Sequence, residues 1–188
     1  MMRMSYNEIW SVPVAEYVIE NVECHKELQH LVTSNKQKQG VDFDILDGVE
    51  NNFTKWAKSC AIDYISQFSE YPFEVVRNRS WVTIQNYGEK TWTHSHSNVD
   101  VIGVYYLSAV DGHPELEIYD PRPPNIFNTK HMYDGEKLVC DCARLHVIKP
   151  LTGKLVFFPG YLMHGIGANL LQIPRVSMGI NFGVDIIR

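Results

Sequence analysis

From residue 71 onward the sequence is a succession of short runs rich in valine, isoleucine, tyrosine and phenylalanine, separated by glycine, proline and asparagine. Several short strands with turn residues between them are typical of an antiparallel β-sandwich or barrel. The candidate strands cover residues 73–77, 81–87, 101–108, 115–119, 144–149, 154–158 and 175–183. The pattern therefore predicts a mainly β core over residues 71–188.

The first 70 residues are patterned differently and predict one strand with helical support. Residues 9–19 contain Pro13 and several β-branched side chains, which favours a strand at the edge of a sheet. Residues 23–33 predict a helix. Residues 52–68 carry apolar side chains at helical spacing on a single stripe, which predicts a second helix packed on the sheet.

Length and composition favour one globular domain. A chain of 188 residues suits a single domain, so we expect residues 1–188 to form one α+β unit in which segment 1–70 buttresses the β core. The 45% apolar and 21% charged residues are typical of globular proteins. The formal net charge of −5 argues against nucleic acid as a partner, because such binding needs a basic face.

The sequence gives no indication of a membrane partner or of export. No run approaches the ~20 apolar residues of a membrane span, and residues 1–6 are not followed by the apolar region of a secretory signal. We therefore expect a cytoplasmic protein whose four cysteines are reduced thiols. Cys140 and Cys142 lack the second cysteine pair that would complete a zinc site, which favours exposed loop thiols.

Three of the eight histidines have the spacing of a metal site. His94 and His96 directly precede the apolar run 101–107, and in an extended chain residues i and i+2 point to the same side. His164 follows the run 154–158 and is placed to supply a third nitrogen from a neighbouring strand, which leaves three positions on the metal open. Because His-x-His alone is a weak signal, a solvated loop pair is the alternative interpretation.

Residues 175–182 alternate strictly between polar and apolar side chains. Arg175, Ser177, Gly179 and Asn181 fall on one face, and four apolar side chains fall on the other. The guanidinium of Arg175 suits a carboxylate, and Ser177 adds a donor beside it. A buried arginine without a ligand is costly, so a bound anion is the natural partner of Arg175, with a structural ion pair as the alternative.

The order of these motifs along the chain is more specific than any one of them. The motifs are His94-x-His96, Gly103-Val104-Tyr105-Tyr106-Leu107, Asp120-Pro121-Arg122, the run 153–159, His164, Arg175-x-Ser177 and Asn181-Phe182. In this order they resemble the 2-oxoglutarate- and iron(II)-dependent oxygenases, and in particular a small branch with a His-x-His motif and a Gly-x-Tyr-Tyr-Leu strand. The resemblance covers about Trp81 to Phe182.

The resemblance implies a double-stranded β-helix, the jelly-roll or cupin-like core. It also implies an oxidoreductase, a hydroxylase that couples decarboxylation of 2-oxoglutarate to oxidation of a C–H bond. The implied cofactors are Fe(II), 2-oxoglutarate and O2, with ascorbate as a candidate reductant. By the resemblance, His94 and His164 are the proximal and distal iron ligands. Arg175, Ser177 and Tyr106 would hold the distal carboxylate of 2-oxoglutarate.

One position departs from the pattern of the wider superfamily, which has His-x-Asp or His-x-Glu as the proximal pair. This sequence has His96 where the carboxylate belongs. Either His94, His96 and His164 together hold the metal, or Asp100 turns in as the carboxylate ligand. We prefer the three histidines.

Two other functions are compatible with the residues. One is a three-histidine cupin-type dioxygenase that uses no 2-oxoglutarate, and the other is a non-catalytic jelly-roll binding module. For an oxygenase, we expect a small-molecule or protein side-chain substrate. Its identity would depend on loops such as residues 121–142, because a loop of this length is uncommon unless it is a lid or a binding segment. A homodimer is the default oligomeric state.

Overall fold

The computed structural model describes residues 12–34, 44–121 and 145–187, together with the backbone of residues 133–134 and 137–138. Most of the predicted loop at 121–142, with Cys140 and Cys142, lies outside the described residues. The elements in chain order are β1 (Ala15–Val18), α1 (Val22–Ser34), α2 (Asn52–Ser66), β2 (Phe73–Gln85), β3 (Thr91–His94), β4 (Val101–Ser108), β5 (Leu116–Tyr119), β6 (Tyr133–Asp134), β7 (Lys137–Leu138), β8 (Leu145–Ile148), β9 (Lys154–Pro159), β10 (His164–Ile166) and β11 (Arg175–Ile186).

Two antiparallel sheets form the body of the molecule. The major sheet has the order β1-β9-β4-β11-β2, and the minor sheet has the order β3-β10-β5-β8. Apart from β1 and the small β6–β7 pair, the described strands pair first with last, second with seventh, third with sixth and fourth with fifth. This nested pairing is that of a jelly roll and confirms the predicted double-stranded β-helix core.

Alternation along the strands divides the apolar side chains into two clusters. The inner cluster lies between the sheets and includes Ile102, Val104 and Tyr106 of β4, with Val156 and Phe158 of β9. The intervening side chains of the same strands pack with the helices in the outer cluster. Strand β4 is consequently buried on both faces, and Tyr105 and Tyr106 belong to opposite clusters, as expected from alternation.

Both helices lie against the outer face of the major sheet. The stripe predicted for α2 is confirmed, with Phe53, Ala57, Cys60, Ala61, Tyr64 and Ile65 all buried. A capping box begins this helix, because the Asn51 side chain accepts from the Thr54 amide while Thr54 accepts from the Asn51 amide. Helix α1 is tied to the sheet by a 2.6 Å hydrogen bond between His25 and Tyr105. Neither helix in the described part is long and apolar enough to span a membrane.

The strands differ from the sequence prediction in three places. The runs 73–77 and 81–87 are one strand, β2, because β11 pairs along its whole length across a register shift at Asn181/Phe182. Strand β1 is an edge strand as predicted but begins only at Ala15. Strands β3 and β10 were not predicted. They have only four and three residues, respectively, and include polar side chains, so neither shows a clear alternation.

The turn between β9 and β10 links the segments that carry the histidines. The Gly160 amide donates to the backbone carbonyl of Asp100 at 3.0 Å, and the Gly160 carbonyl accepts from the His96 amide at 2.9 Å. A side chain at Gly160 would overlap the Val99 carbonyl, because an added Cβ would lie only 2.9 Å from the carbonyl carbon of Val99. Only glycine therefore allows these two segments to approach so closely.

We expect Gly160→Ala to lower the free energy of unfolding by about 1–3 kcal/mol, because the backbone of Val99 cannot move aside as a flexible side chain can. Urea denaturation measures the change. Gly167→Ala is the matched control, since its added Cβ would meet nothing closer than 3.8 Å. Equal stability of the two variants would contradict the close approach at Gly160.

Candidate metal centre

Three imidazoles from two separate segments converge at one end of the sheets. His94 ends β3 and lies opposite His164, which begins β10, in the antiparallel register of these strands. His96 lies two residues beyond His94. One ring nitrogen from each histidine lies within 4.8 Å of the other two, and the ring centroids are 4.4 to 5.3 Å apart. The structure thus brings together the three histidines predicted from the sequence.

Two of the imidazoles are oriented by the backbone. Nδ1 of His94 lies 2.7 Å from the Trp92 carbonyl, and Nδ1 of His164 lies 2.9 Å from the Leu162 carbonyl. A carbonyl oxygen only accepts, so in the neutral form of each ring Nδ1 carries the proton and Nε2 keeps the lone pair. This arrangement is typical of metal-binding histidines, whose second nitrogen fixes the tautomer and the direction of the ring.

His96 is held in a different way. Its ring makes no hydrogen bond to any residue of the described segments, and it stacks on the indole of Trp81 at 5.6 Å and 22°. Its ring is also nearly parallel to that of His164, at 5.3 Å and 12°. The orientation of this third imidazole therefore depends on ring contacts.

Burial keeps two of the imidazoles neutral. It lowers the pKa of His96 to about 4, and repulsion from His94 contributes to the shift. Burial also lowers the pKa of His164 to about 4. The hydrogen bond to the Leu162 carbonyl opposes this shift, and repulsion from His94 and His96 adds to it. Neutral imidazoles have the lone pairs that a metal ion needs, so the site fits a divalent metal at neutral pH.

Asp100, the alternative carboxylate ligand, lies outside this group. Its Oδ2 accepts a hydrogen bond from the Val184 amide of β11 at 2.8 Å, and its side chain is exposed. It is not among the side chains that share the 4.8 Å cluster. The geometry supports His96 as the third ligand in place of Asp100.

Arg175 forms a second, cationic part of the site. The residue is fully buried, and its Nη1 donates to Gln85 at 3.0 Å and to Ser177 at 3.1 Å. Its guanidinium carbon lies 4.9 Å from the ring centroid of Tyr106. Among the described residues, Arg175 Nε and Nη2 and the Tyr106 hydroxyl are buried without hydrogen-bond partners. No carboxylate in the described part forms an ion pair with Arg175.

These unpartnered donors fit an anionic ligand. A buried cation surrounded by neutral groups is unfavourable unless a counter-charge arrives. Burial raises the pKa of the Tyr106 hydroxyl, so this group stays protonated and is able to donate. A carboxylate would complete the hydrogen bonding of the guanidinium and the phenol together.

Gln85 is a site residue that sequence reasoning missed. It is 2% exposed, its Oε1 accepts from Arg175, and its Nε2 donates to the carbonyls of Glu89 and Gly167 at 3.3 and 3.4 Å. Both ends of the amide are thereby fixed, and the oxygen points at the guanidinium. The available signal was the pairing of β2 with β11, which puts Gln85 opposite Arg175 but requires the fold to be known.

Residues 79–181, more than half of the 188-residue chain, match the family model described as "Putative 2OG-Fe(II) oxygenase". The chain belongs to the 2OG-Fe(II) oxygenase family. This confirms the resemblance carried by the ordered motifs, and the histidine cluster fits the His-x-His and distal histidine pattern. Comparison with the sequences of curated proteins finds no match.

Several solved structures share the fold of this chain. A Pseudomonas putida prolyl-4-hydroxylase has a TM-score of 0.54 at 13% identity, covering 95% of this chain and 89% of that chain. A Trichoplax adhaerens prolyl hydroxylase, in complex with a hypoxia inducible factor peptide, has a TM-score of 0.57 at 15% identity, covering 90% of this chain and 82% of that chain. HygX from Streptomyces hygroscopicus, with nickel and 2-oxoglutarate bound, has a TM-score of 0.61 at 9% identity, covering 92% of this chain and 82% of that chain.

The lowered histidine pKa values predict a pH dependence of the metal-free protein. Histidine in an unfolded chain titrates near pH 6.5, whereas folded His96 and His164 titrate near 4. Between these values the unfolded chain binds more protons than the folded chain does. The free energy of unfolding therefore has its full value above pH 6.5 and falls as the pH is lowered toward 4. Urea denaturation at intervals from pH 7 to 5 measures the slope.

His164→Gln should flatten that slope, because glutamine cannot take up the proton. The control is His146→Gln, which replaces an exposed histidine and should leave the slope unchanged. A slope that is the same in the His164 variant and the parent protein would show that burial does not suppress protonation of His164.

Proposed function

We propose that this chain, as a single domain, is a 2-oxoglutarate- and Fe(II)-dependent dioxygenase that hydroxylates a small-molecule or protein side-chain substrate. Membership of the oxygenase family supports the class of reaction. The observation that carries the proposal further is the presence, between the same two sheets, of three clustered imidazoles and a buried guanidinium with free donors. The first fits a metal ion, and the second fits the far carboxylate of a diacid.

The two parts of the site are joined through the inner cluster. Phe158 packs edge-on against His164, with ring centroids 4.8 Å apart, and belongs to the same cluster as Tyr106. Gln85, which holds Arg175, also donates to the carbonyl of Gly167, directly after β10. The residue that orients Arg175 is therefore hydrogen-bonded to the backbone directly after the strand that carries His164.

Each residue has a defined task in this proposal. His94, His96 and His164 would hold Fe(II) as neutral ligands, while Arg175, Ser177 and Tyr106 would bind and orient the distal carboxylate of 2-oxoglutarate. When bound, the metal and 2-oxoglutarate supply the activation of O2 and the oxidation of a C–H bond. The apolar side chains of the inner cluster exclude water from that space.

The set of three histidines also affects the charge of the site. No protein ligand would carry a negative charge, so the bound metal would keep its full positive charge in an interior that already contains a cation. An anionic co-substrate would relieve both charges at once. This electrostatic argument favours a diacid over a neutral ligand.

Anaerobic titration of 2-oxoglutarate into the Fe(II)-loaded protein tests the proposed function. We expect a weak visible charge-transfer band, followed on exposure to air by release of succinate. His94→Ala should abolish the band, because one metal ligand is lost. Metal binding without the band or succinate would favour the three-histidine enzyme that uses no 2-oxoglutarate. Failure to bind metal by elemental analysis would favour the non-catalytic binding module.

The proposed role of Arg175 predicts the effect of Gln85→Glu. A carboxylate at this position would neutralise the guanidinium internally, so we expect the affinity for 2-oxoglutarate to fall by about tenfold or more, the equivalent of one lost charge-assisted interaction. Iron affinity should stay unchanged, since Gln85 is not part of the histidine cluster. Calorimetric titration of each ligand measures both.

Gln67→Glu is the matched control for Gln85→Glu. It makes the same change in charge at an exposed residue directly after α2 and should leave the binding of 2-oxoglutarate unchanged. Undiminished binding of 2-oxoglutarate to the Gln85 variant would show that Arg175 is not its anchor.

A further inference from the structure

The third imidazole lacks the backbone hydrogen bond that orients the other two. The rings of His94 and His164 each donate to a carbonyl two residues earlier, whereas the ring of His96 has no such partner among the described residues. Outside the histidine cluster, its flat contact is with Trp81, with ring centroids 5.6 Å apart and 22° between the ring planes. We propose that Trp81 is the positioning residue of His96, and that Gly179, which has no side chain, leaves the space in which the Trp81 indole packs.

Gly179 leaves open the space that the indole occupies. It lies opposite Trp81 in the β2–β11 pairing and opposite Val104 in the β4–β11 pairing, near the middle of the major sheet. A Cβ atom added to Gly179 would lie 2.6 Å from Cε2 and 2.9 Å from Cη2 of Trp81. The indole therefore lies directly on the backbone of β11, and any side chain at Gly179 would push it away.

His96 needs such a contact because of where it is on the chain. It lies beyond the end of β3, and the hydrogen bond of its segment to the β9–β10 turn is made by its backbone amide, which donates to Gly160. Rotation of an imidazole about its χ2 angle has broad minima, so the backbone alone does not fix the plane of the ring. A flat aromatic neighbour restricts that rotation and keeps a lone pair directed at the metal position.

This inference rests on the proposed metal site but does not depend on 2-oxoglutarate. Trp81 contacts His96 but is not itself one of the three clustered ligands, so its effect should be on metal affinity. Changes to residues that orient metal ligands typically weaken metal binding by about 10- to 100-fold. We expect that range when the flat contact is lost.

Cobalt(II) titration of the metal-free full-length protein tests the role of Trp81. Trp81→Leu and Trp81→Phe are a matched pair, because both shorten the side chain and keep it apolar but only phenylalanine keeps a flat ring. We expect Trp81→Leu to bind cobalt about 10- to 100-fold more weakly than the parent protein and to change the visible ligand-field bands. Trp81→Phe should retain most of the affinity and the parent spectrum. Equal affinities of the leucine and phenylalanine variants would overturn the inference.

Gly179→Ala provides an independent test that leaves both Trp81 and His96 in the chain. We expect the same loss of cobalt affinity, because the methyl group displaces the indole. The control is Gly183→Ala on the same strand, where the added Cβ would meet the Asn78 side chain at 3.1 Å, and we expect parental affinity. Thermal unfolding of each metal-free variant separates loss of affinity from loss of the fold.

The double variant Trp81→Leu/Gly179→Ala distinguishes an effect through the indole from an effect on the strand. The methyl group added at Gly179 would meet ring atoms of Trp81, and leucine has no ring. The double variant should therefore bind cobalt as Trp81→Leu does, without a further loss. Additive losses would show that Gly179 acts through the backbone and would contradict the proposal.

Failure of the metal site gives a different result from failure of this inference. If His96→Ala binds cobalt as tightly as the parent protein, the three-histidine site is wrong, and the role of Trp81 is lost with it. If His96→Ala weakens binding but Trp81→Leu and Gly179→Ala do not, the metal site stands and only the positioning role of Trp81 is overturned.

Discussion

The pairing of β3 with β10 is the constraint on which the site depends. It sets His94 opposite His164. In the turn before β10, the carbonyl of Gly160 accepts a hydrogen bond from the amide of His96. Side chains alternate along a strand, so a shift of one residue would turn an imidazole to the other face. Both strands are short, and their register is supported by the neighbouring β5 and by the close approach at Gly160.

The charges of the site follow from its burial. Desolvation holds His96 and His164 neutral, whereas Arg175 stays a cation because a guanidinium does not lose its proton in a protein. Its described neighbours are an amide, a hydroxyl and a phenol, none of which carries a counter-charge. The folded chain thus presents lone pairs at one end of the site and an unbalanced positive charge at the other. A metal ion at the first end and an anion at the second would satisfy both.

Periodicity predicted most of the fold, and the order of motifs predicted the centre of the site. The helical stripe of α2 and the alternation of β11 are long enough to read directly, and His94, His96 and His164 stand out by type and spacing. Strands β3 and β10 are too short for periodicity to show. The contacts of Gln85 and Gly179 could not be predicted because they arise across strands, from residues 90 and 98 positions away in the chain. Neither residue type indicates a site by itself.

The replacement of a carboxylate by His96 changes what the rest of the site must supply. A carboxylate has two oxygens with several lone pairs, so it is able to bind a metal and accept orienting hydrogen bonds at the same time. A neutral imidazole has one donor besides its metal-binding lone pair, and no described residue accepts from His96. Asp100 does not compensate, because its carboxylate is bonded to the amide of Val184. The orienting contact for His96 must then come from its faces. Trp81 can supply it only because Gly179, on the adjacent strand, has no side chain.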